Sequence, residues 1–198
     1  MREESLAARE VVLESAIAAF ARKGYAGTSV QDILQATHLS KPTLYYYFES
    51  KAGLFRAILD FAYDECFRLM QEAVAGITSC ERRLVAVATA FFQFAERHQN
   101  LTRLVFATVF AAPEEIPKGC IDLTKRRRNF EFVLAIVRSG QKEGLIDSGY
   151  DVEEVTHGIF GAISHQVRTH LLVPKGKLDQ QRAERVVALF LNGARRQK

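Results

Sequence analysis

"SKPTLYYYFESK", residues 40–51, sets four aromatic residues in a row inside one short helical stretch. Ser40 can cap a helix with its hydroxyl, and Pro42 fits the first turn, where a missing N–H is tolerated. At 100° per residue, Leu44 and Phe48 fall almost above one another and mark the buried face. Tyr45 and Tyr47 then lie about 80° to either side of that face, and Tyr46 points directly away from it. The three tyrosines therefore cannot share one job. Tyr46 has no core to enter, while Tyr45 and Tyr47 can bury their rings and leave their hydroxyls at the rim. That arrangement suits a helix lying in a DNA groove, where phenols donate to phosphates and rings rest on sugars and thymine methyls.

The flanking sequence supports the same reading. A first helix carries the stripe Leu13, Ala16, Ile17 and Phe20 and stops at Gly24, after the cations Arg22 and Lys23. A second helix is expected to begin at Thr28, with Thr28 and Gln31 as its capping pair and Val30, Ile33 and Leu34 facing inward. A short break at Thr37 and His38 leads into the third helix, and Ser50 caps a long fourth helix reaching about Ala75. Two short helices joined by a tight turn behind a supporting helix make a helix-turn-helix unit. Lys41, Pro42 and Thr43 sit at the end of the third helix that reaches base edges in such units. Lys51 opens the fourth helix, where its charge and the free backbone N–H groups can hold a phosphate, and Thr28 offers similar chemistry on the other side.

The stretch FARKGYAGTSVQDILQATHLSKPTLYYYFESKAGLF resembles the N-terminal domain of the tetracycline-repressor (TetR) family of transcriptional regulators. The glycine after the first helix, the threonine at the start of the second and the L-Y-x-x-F followed by lysine carry the resemblance, over about Ala16 to Leu59. It implies an all-helical homodimer that binds a palindromic DNA operator and releases it when a small molecule occupies the C-terminal part. It also implies DNA contacts at Thr28, Ser40, Lys41, Pro42, Thr43, Tyr45, Tyr46, Tyr47 and Lys51. Pro42 stands where glycine is frequent in the family and Tyr47 where histidine is common, so the operator sequence does not follow from the resemblance.

Helical periodicity continues to the end of the chain, with no period-two strand, so the fold class is all-α. Further helices are expected at about 80–97, 100–111, 119–143, 151–172 and 179–195. The breaks fall at Pro113 and Pro117, at Gly144 and Gly149, and at Pro174 and Gly176. The expected division is residues 1–55 for DNA binding and 56–198 for effector binding and dimerisation. No apolar run approaches the roughly 18 residues of a membrane span, and the first residues lack a signal-peptide core, so a cytoplasmic location is expected. Cys66, Cys80 and Cys120 form no CxxC pair and read as reduced, buried thiols. The net charge is +4, yet residues 1–56 hold seven Lys/Arg against six Asp/Glu, so DNA affinity must come from local placement of charge.

After residue 56 no motif is as specific. Aromatic stripes suggest an effector pocket lined by Phe67, Met70, Phe91, Phe94, His98, Phe106, Phe110 and Phe130, although such stripes are commonly plain core. The sixth helix, apolar almost all round, reads as deeply buried. Arg126 precedes Phe130 by four residues, extends an inner stripe and is counted with the expected pocket residues, whereas Arg128 reads as solvated. Gly158, Gly161 and His165 share one face of the eighth helix, and Val186 and Phe190 lie on a stripe of the ninth. These five are the expected dimer interface. No histidine pair has metal-ligand spacing, and neither a metal nor a cofactor is expected. A ligand-released repressor is the leading reading. An activator, or a regulator without effector, would use the same fold. A helical enzyme or lipid-binding protein with a vestigial helix-turn-helix is the outlying alternative, and it lacks any phosphate loop or nucleophile elbow.

Overall fold

Glycine and proline punctuate a chain that is otherwise helix. In the computed structural model, which describes residues 2–112 and 114–194, nine helices follow in order. They are α1 (Arg2–Lys23), α2 (Val30–Leu34), α3 (Lys41–Phe48), α4 (Lys51–Val74), α5 (Cys80–Arg97), α6 (Gln99–Phe110), α7 (Leu123–Lys142), α8 (Val152–Leu172) and α9 (Gln180–Ala194). The described residues contain no strand. Pro113 lies outside the described residues. Gly24 and Gly144 take the left-handed conformation that ends a helix, with φ of 71° and 72°.

The chain packs as two compact units. The first comprises residues up to Tyr63 together with His98–Leu123, and the second comprises Asp64–Arg97 and the residues from Thr124 onward. The sequence division at residue 55 falls inside the first unit. Residues 98–123, assigned by sequence to the second domain, pack with the first, where α6 lies against α1.

In the first unit α1 packs on α2, α3 and α6. Its core gathers Val12, Ala16, Phe20, Ile33, Leu44, Leu54, Phe55 and Ile58, all buried. Phe55 meets the rings of Phe20 and Tyr25 edge-on at 5.1 and 4.9 Å. Two expectations fail here. The cap of α2 is Ser29, not Thr28: Ser29 Oγ accepts from Asp32 N at 3.0 Å, and Asp32 Oδ2 accepts from Ser29 N at 2.7 Å. Thr28 is diverted because its hydroxyl donates to the Gly24 carbonyl at 2.7 Å, one helical turn back. Nor is α6 buried all round. Leu101, Thr102, Leu104 and Thr108 form its covered face, while Val109 and Phe110 are exposed at its last turn, where α1 covers a single face.

The capping box makes a prediction. Ser29→Ala should cost about 1 kcal/mol of stability, whereas Gln31→Ala should cost nothing measurable in thermal melts. Asp32 also pairs with Lys23 at 2.5 Å. The Lys23 and Ser29 hydrogen bonds hold its carboxyl well below the usual range. A depressed folded-state pKa contributes stability above the unfolded value near 4, and that contribution disappears as pH falls. The acid sensitivity of the melting temperature below about pH 4 should therefore be shallower in Asp32→Asn than in the parent.

The second unit is built on Met70, Leu84, Val87, Phe92, Ile136, Val137, Ile159, Ile163, Val187 and Leu191. Within it α5 packs on α8 and α9, and α8 on α9. Gly140 of α7 lies so close to α5 that a Cβ there would stand 2.5 Å from Cys80 Sγ. All three cysteines are free and buried. Burial, with Glu65 nearby, pushes the Cys66 thiol up to about 12, and burial with Glu143 pushes Cys80 up to about 11. Thiols in that range hold almost no thiolate at neutral pH and are poor redox centres.

Candidate nucleic-acid interface

The third helix is seated from one side only. Leu44 is fully buried and Phe48 is 5% exposed, whereas Tyr46 is 80% exposed on the opposite face. Tyr45 is exposed and Tyr47 half-buried, as the 100° construction requires. Ser40 caps the helix, accepting from Thr43 N at 3.3 Å, and its hydroxyl lies 2.8 Å from that of Thr43. Tyr46 and Tyr47 meet edge-on at 5.1 Å, and Lys41 Nζ stands 5.7 Å from the Tyr45 ring centre. Lys41, Pro42, Tyr45 and Tyr46 thus present an open surface of one cation and two phenols.

The junction with α4 fixes how far this helix projects. Glu49 sits at φ 62°, an uncommon conformation for a residue with a side chain, and its N–H donates to the Tyr45 carbonyl at 2.8 Å. Gly53 lets the first turn of α4 approach, since a Cβ there would fall 2.1 Å from the Phe48 carbonyl oxygen. Ser50 caps α4, as expected, accepting from Gly53 N at 2.9 Å.

Two residues expected to touch DNA are turned inward. Thr28 is 1% exposed and its hydroxyl is used by Gly24 and Ala19. Lys51 is half-buried, with Nζ donating to the carbonyls of Tyr25 at 3.0 Å and Thr28 at 2.9 Å and lying 4.1 Å from the centre of the Tyr25 ring. Burial lowers its pKa. The reason is geometric: the turn after α1 leaves two carbonyls facing the start of α4, and the lysine fills that gap.

The residues expected to line one effector pocket are shared between the units. His98, Phe106 and Phe110 belong to the first, where His98 meets the Phe61 ring edge-on at 6.3 Å and Phe110 is 72% exposed. Phe67, Met70, Phe91, Phe94, Arg126 and Phe130 belong to the second. Met70 and Phe94 are buried core. Phe91 and Phe130 are half-buried and meet through Phe160, at 5.6 and 6.0 Å, with His157 against Phe130 at 4.5 Å. Sequence reasoning missed Phe160 and His157 because the glycines of α8 mark a different face.

Arg126 is exposed, and its neighbour Arg128 is the one engaged, 4.1 Å from the Phe67 ring centre and 3.0 Å from Asp64. The buried stripe of α7 runs through Asn129, Val133, Ile136, Val137 and Gly140. Extended back one turn, it lands on Lys125, which pairs with Asp64 at 2.6 Å. Burial pushes the Asp64 carboxyl up, and the two cations outweigh it, so its pKa is lowered.

Among the expected dimer residues, Gly158 already admits a helix of its own chain: a Cβ there would stand 2.8 Å from the Phe190 ring. Gly161 faces open space, and His165 is exposed. Gly158, Ala162, His165, Val186, Leu189 and Phe190 line a groove of about 750 Å³ between α8 and α9, with Leu189 79% exposed beside it. Among the described residues no cluster of His, Cys, Asp or Glu is placed to hold a metal, and no helix is long and apolar enough to cross a membrane.

Residues 12–58, which hold α2, α3, the second half of α1 and the first third of α4, match the family "Bacterial regulatory proteins, tetR family". The chain is 27% identical over 103 residues to the probable HTH-type transcriptional regulator YttP of Bacillus subtilis, covering 51% of this chain and 50% of YttP. It therefore spans about half the length of that relative. Over 176 residues it is 26% identical to the probable acrEF/envCD operon repressor of Escherichia coli, covering 86% of this chain and 79% of the repressor. Its fold matches the crystal structure of PfmR, a TetR family transcriptional regulator from Thermus thermophilus, with a TM-score of 0.74 at 26% identity, covering 93% of this chain and 99% of PfmR. The outward tyrosines, the capped third helix and these likenesses agree: at residues 12–58 the chain carries the DNA-binding domain of the tetR family of bacterial regulatory proteins.

Proposed function

We propose that this regulator is a repressor that grips a palindromic operator as a homodimer and is released by a small, largely apolar effector. The observation carrying the DNA reading is Tyr46, 80% exposed on a helix whose opposite face is fully buried. Apart from its edge-on contact with Tyr47, an aromatic ring so placed gains little in folding, and a phenol is suited to phosphate or base-edge contact. Thr43 and Lys41 flank it at the capped N-terminus of α3. Tyr45 and Tyr47 supply hydroxyls at the rim, with Ser40 and Pro42 shaping the first turn.

Dimerisation is supported by the α8–α9 groove, whose apolar lining and exposed Leu189 form a face that a second copy can cover. Two-fold pairing brings two recognition helices to half-sites about one helical turn apart. The half-buried rings of Phe91, Phe130 and Phe160 supply the apolar contact surface for an effector, with His157 as the adjoining polar group. An effector that prefers the released state shifts the equilibrium by its differential affinity, and operator must weaken effector binding by the same factor. The test is calorimetric titration of an identified effector with and without operator, repeated in Phe160→Ala. Weaker binding in the presence of operator and in the variant is expected. Equal affinity with and without operator would exclude release by that compound.

A further inference from the structure

Two cations rest on the aromatic rings of α3, one at each end. Lys41 Nζ stands 5.7 Å from Tyr45 at the N-terminal end. Arg9, from α1, places its guanidinium carbon 5.3 Å from the ring centre of Phe48 at the C-terminal end. Arg9 is exposed and has no acidic partner among the described residues. By contrast, Lys23 is paired with Asp32, and Lys51 is committed to two carbonyls and a ring.

A helix lying in the major groove runs between two rows of phosphates, and neutralising phosphates is the main source of affinity. With Lys51 turned inward, Arg9 is the side-chain cation that, among the described residues, lies on the rings of the third helix at its far end. The contact with Phe48 holds the guanidinium beside α3 while Arg9 stays exposed, so its N–H donors can reach phosphate oxygens. We propose that Arg9 is a phosphate-anchoring residue of the DNA interface, and that Lys51 is a positioning residue that holds the α1–α2 turn against α4. This rests on the DNA-binding reading above.

The experiment is a fluorescence-anisotropy titration of the full chain against a labelled mixed-sequence DNA duplex over a series of salt concentrations. Each phosphate contact contributes about 0.9 to the slope of log affinity against log salt. Arg9→Gln removes one contact from each protomer of the dimer, so it should make that slope shallower by about two units while keeping the parent melting temperature, and Arg9→Lys should restore the slope. Lys51→Met should lower the melting temperature, up to loss of folding, and wherever it still binds it should keep the parent slope. A parent slope in Arg9→Gln would overturn the anchor, and a slope about two units shallower in Lys51→Met would overturn the positioning role. A parent protein that binds no duplex at low salt would instead overturn DNA binding itself.

Discussion

Phe48→Ala is expected to cost roughly 3–5 kcal/mol of stability and to abolish operator binding by unfolding the first unit, while Tyr46→Ala abolishes most binding from a folded protein. The two residues are separated by half a turn of one helix, yet Phe48 is 5% exposed and Tyr46 80%. Removing the Phe48 ring leaves a cavity against Leu44 and strips the support from Arg9. Removing the Tyr46 ring loses only its edge-on contact with Tyr47 on the open face of the helix. A hydrogen bond to a charged phosphate is worth about 1.5–3 kcal/mol, so Tyr46→Ala should weaken operator binding by about tenfold or more. Thermal melting followed by circular dichroism, beside anisotropy titration, separates the two causes. Equal loss of melting temperature in both variants would mean that the helix faces are reversed.

The second large effect is expected at the opposite end of the chain. Leu189→Glu should convert the dimer to a monomer by sedimentation and lower operator affinity by a factor on the order of 10²–10⁴, because each half-site then binds alone. Leu189 is 79% exposed in the isolated chain, so the substitution removes nothing from its own core. Gly158→Ala differs in kind. Its new methyl meets the Phe190 ring of the same chain, so the ring must turn aside, and stability should fall along with dimerisation. A monomeric Leu189→Glu that binds operator as tightly as the parent would contradict the dimer model.

What the sequence disclosed depended on whether the deciding contact was local. The faces of α3 were legible because capping by Ser40 and the spacing of Leu44 and Phe48 are settled within nine residues. The cap of α2 was not: Thr28 and Ser29 are adjacent hydroxyl residues, and Gln31 and Asp32 are adjacent candidates for the return bond. The Gly24 carbonyl decides between them, since it captures the Thr28 hydroxyl. The inward turn of Lys51 was not legible for a related reason, because the carbonyls of Tyr25 and Thr28 that hold it lie more than twenty residues away. In α7 a small error of phase exchanged Arg126 for its neighbours Lys125 and Arg128, the residues that reach Asp64. No local signal told that the helix after His98 packs on α1.

How the protein covers DNA tests the outward-facing third helix most directly. Hydroxyl-radical footprinting on a duplex selected by the purified protein from a random pool would show it. The dimer with outward-facing third helices predicts two symmetric protected patches centred about one helical turn, 34–36 Å, apart, with Tyr46→Ala weakening both alike. A single unsymmetrical patch, or protection that persists unchanged in Tyr46→Ala, would contradict it.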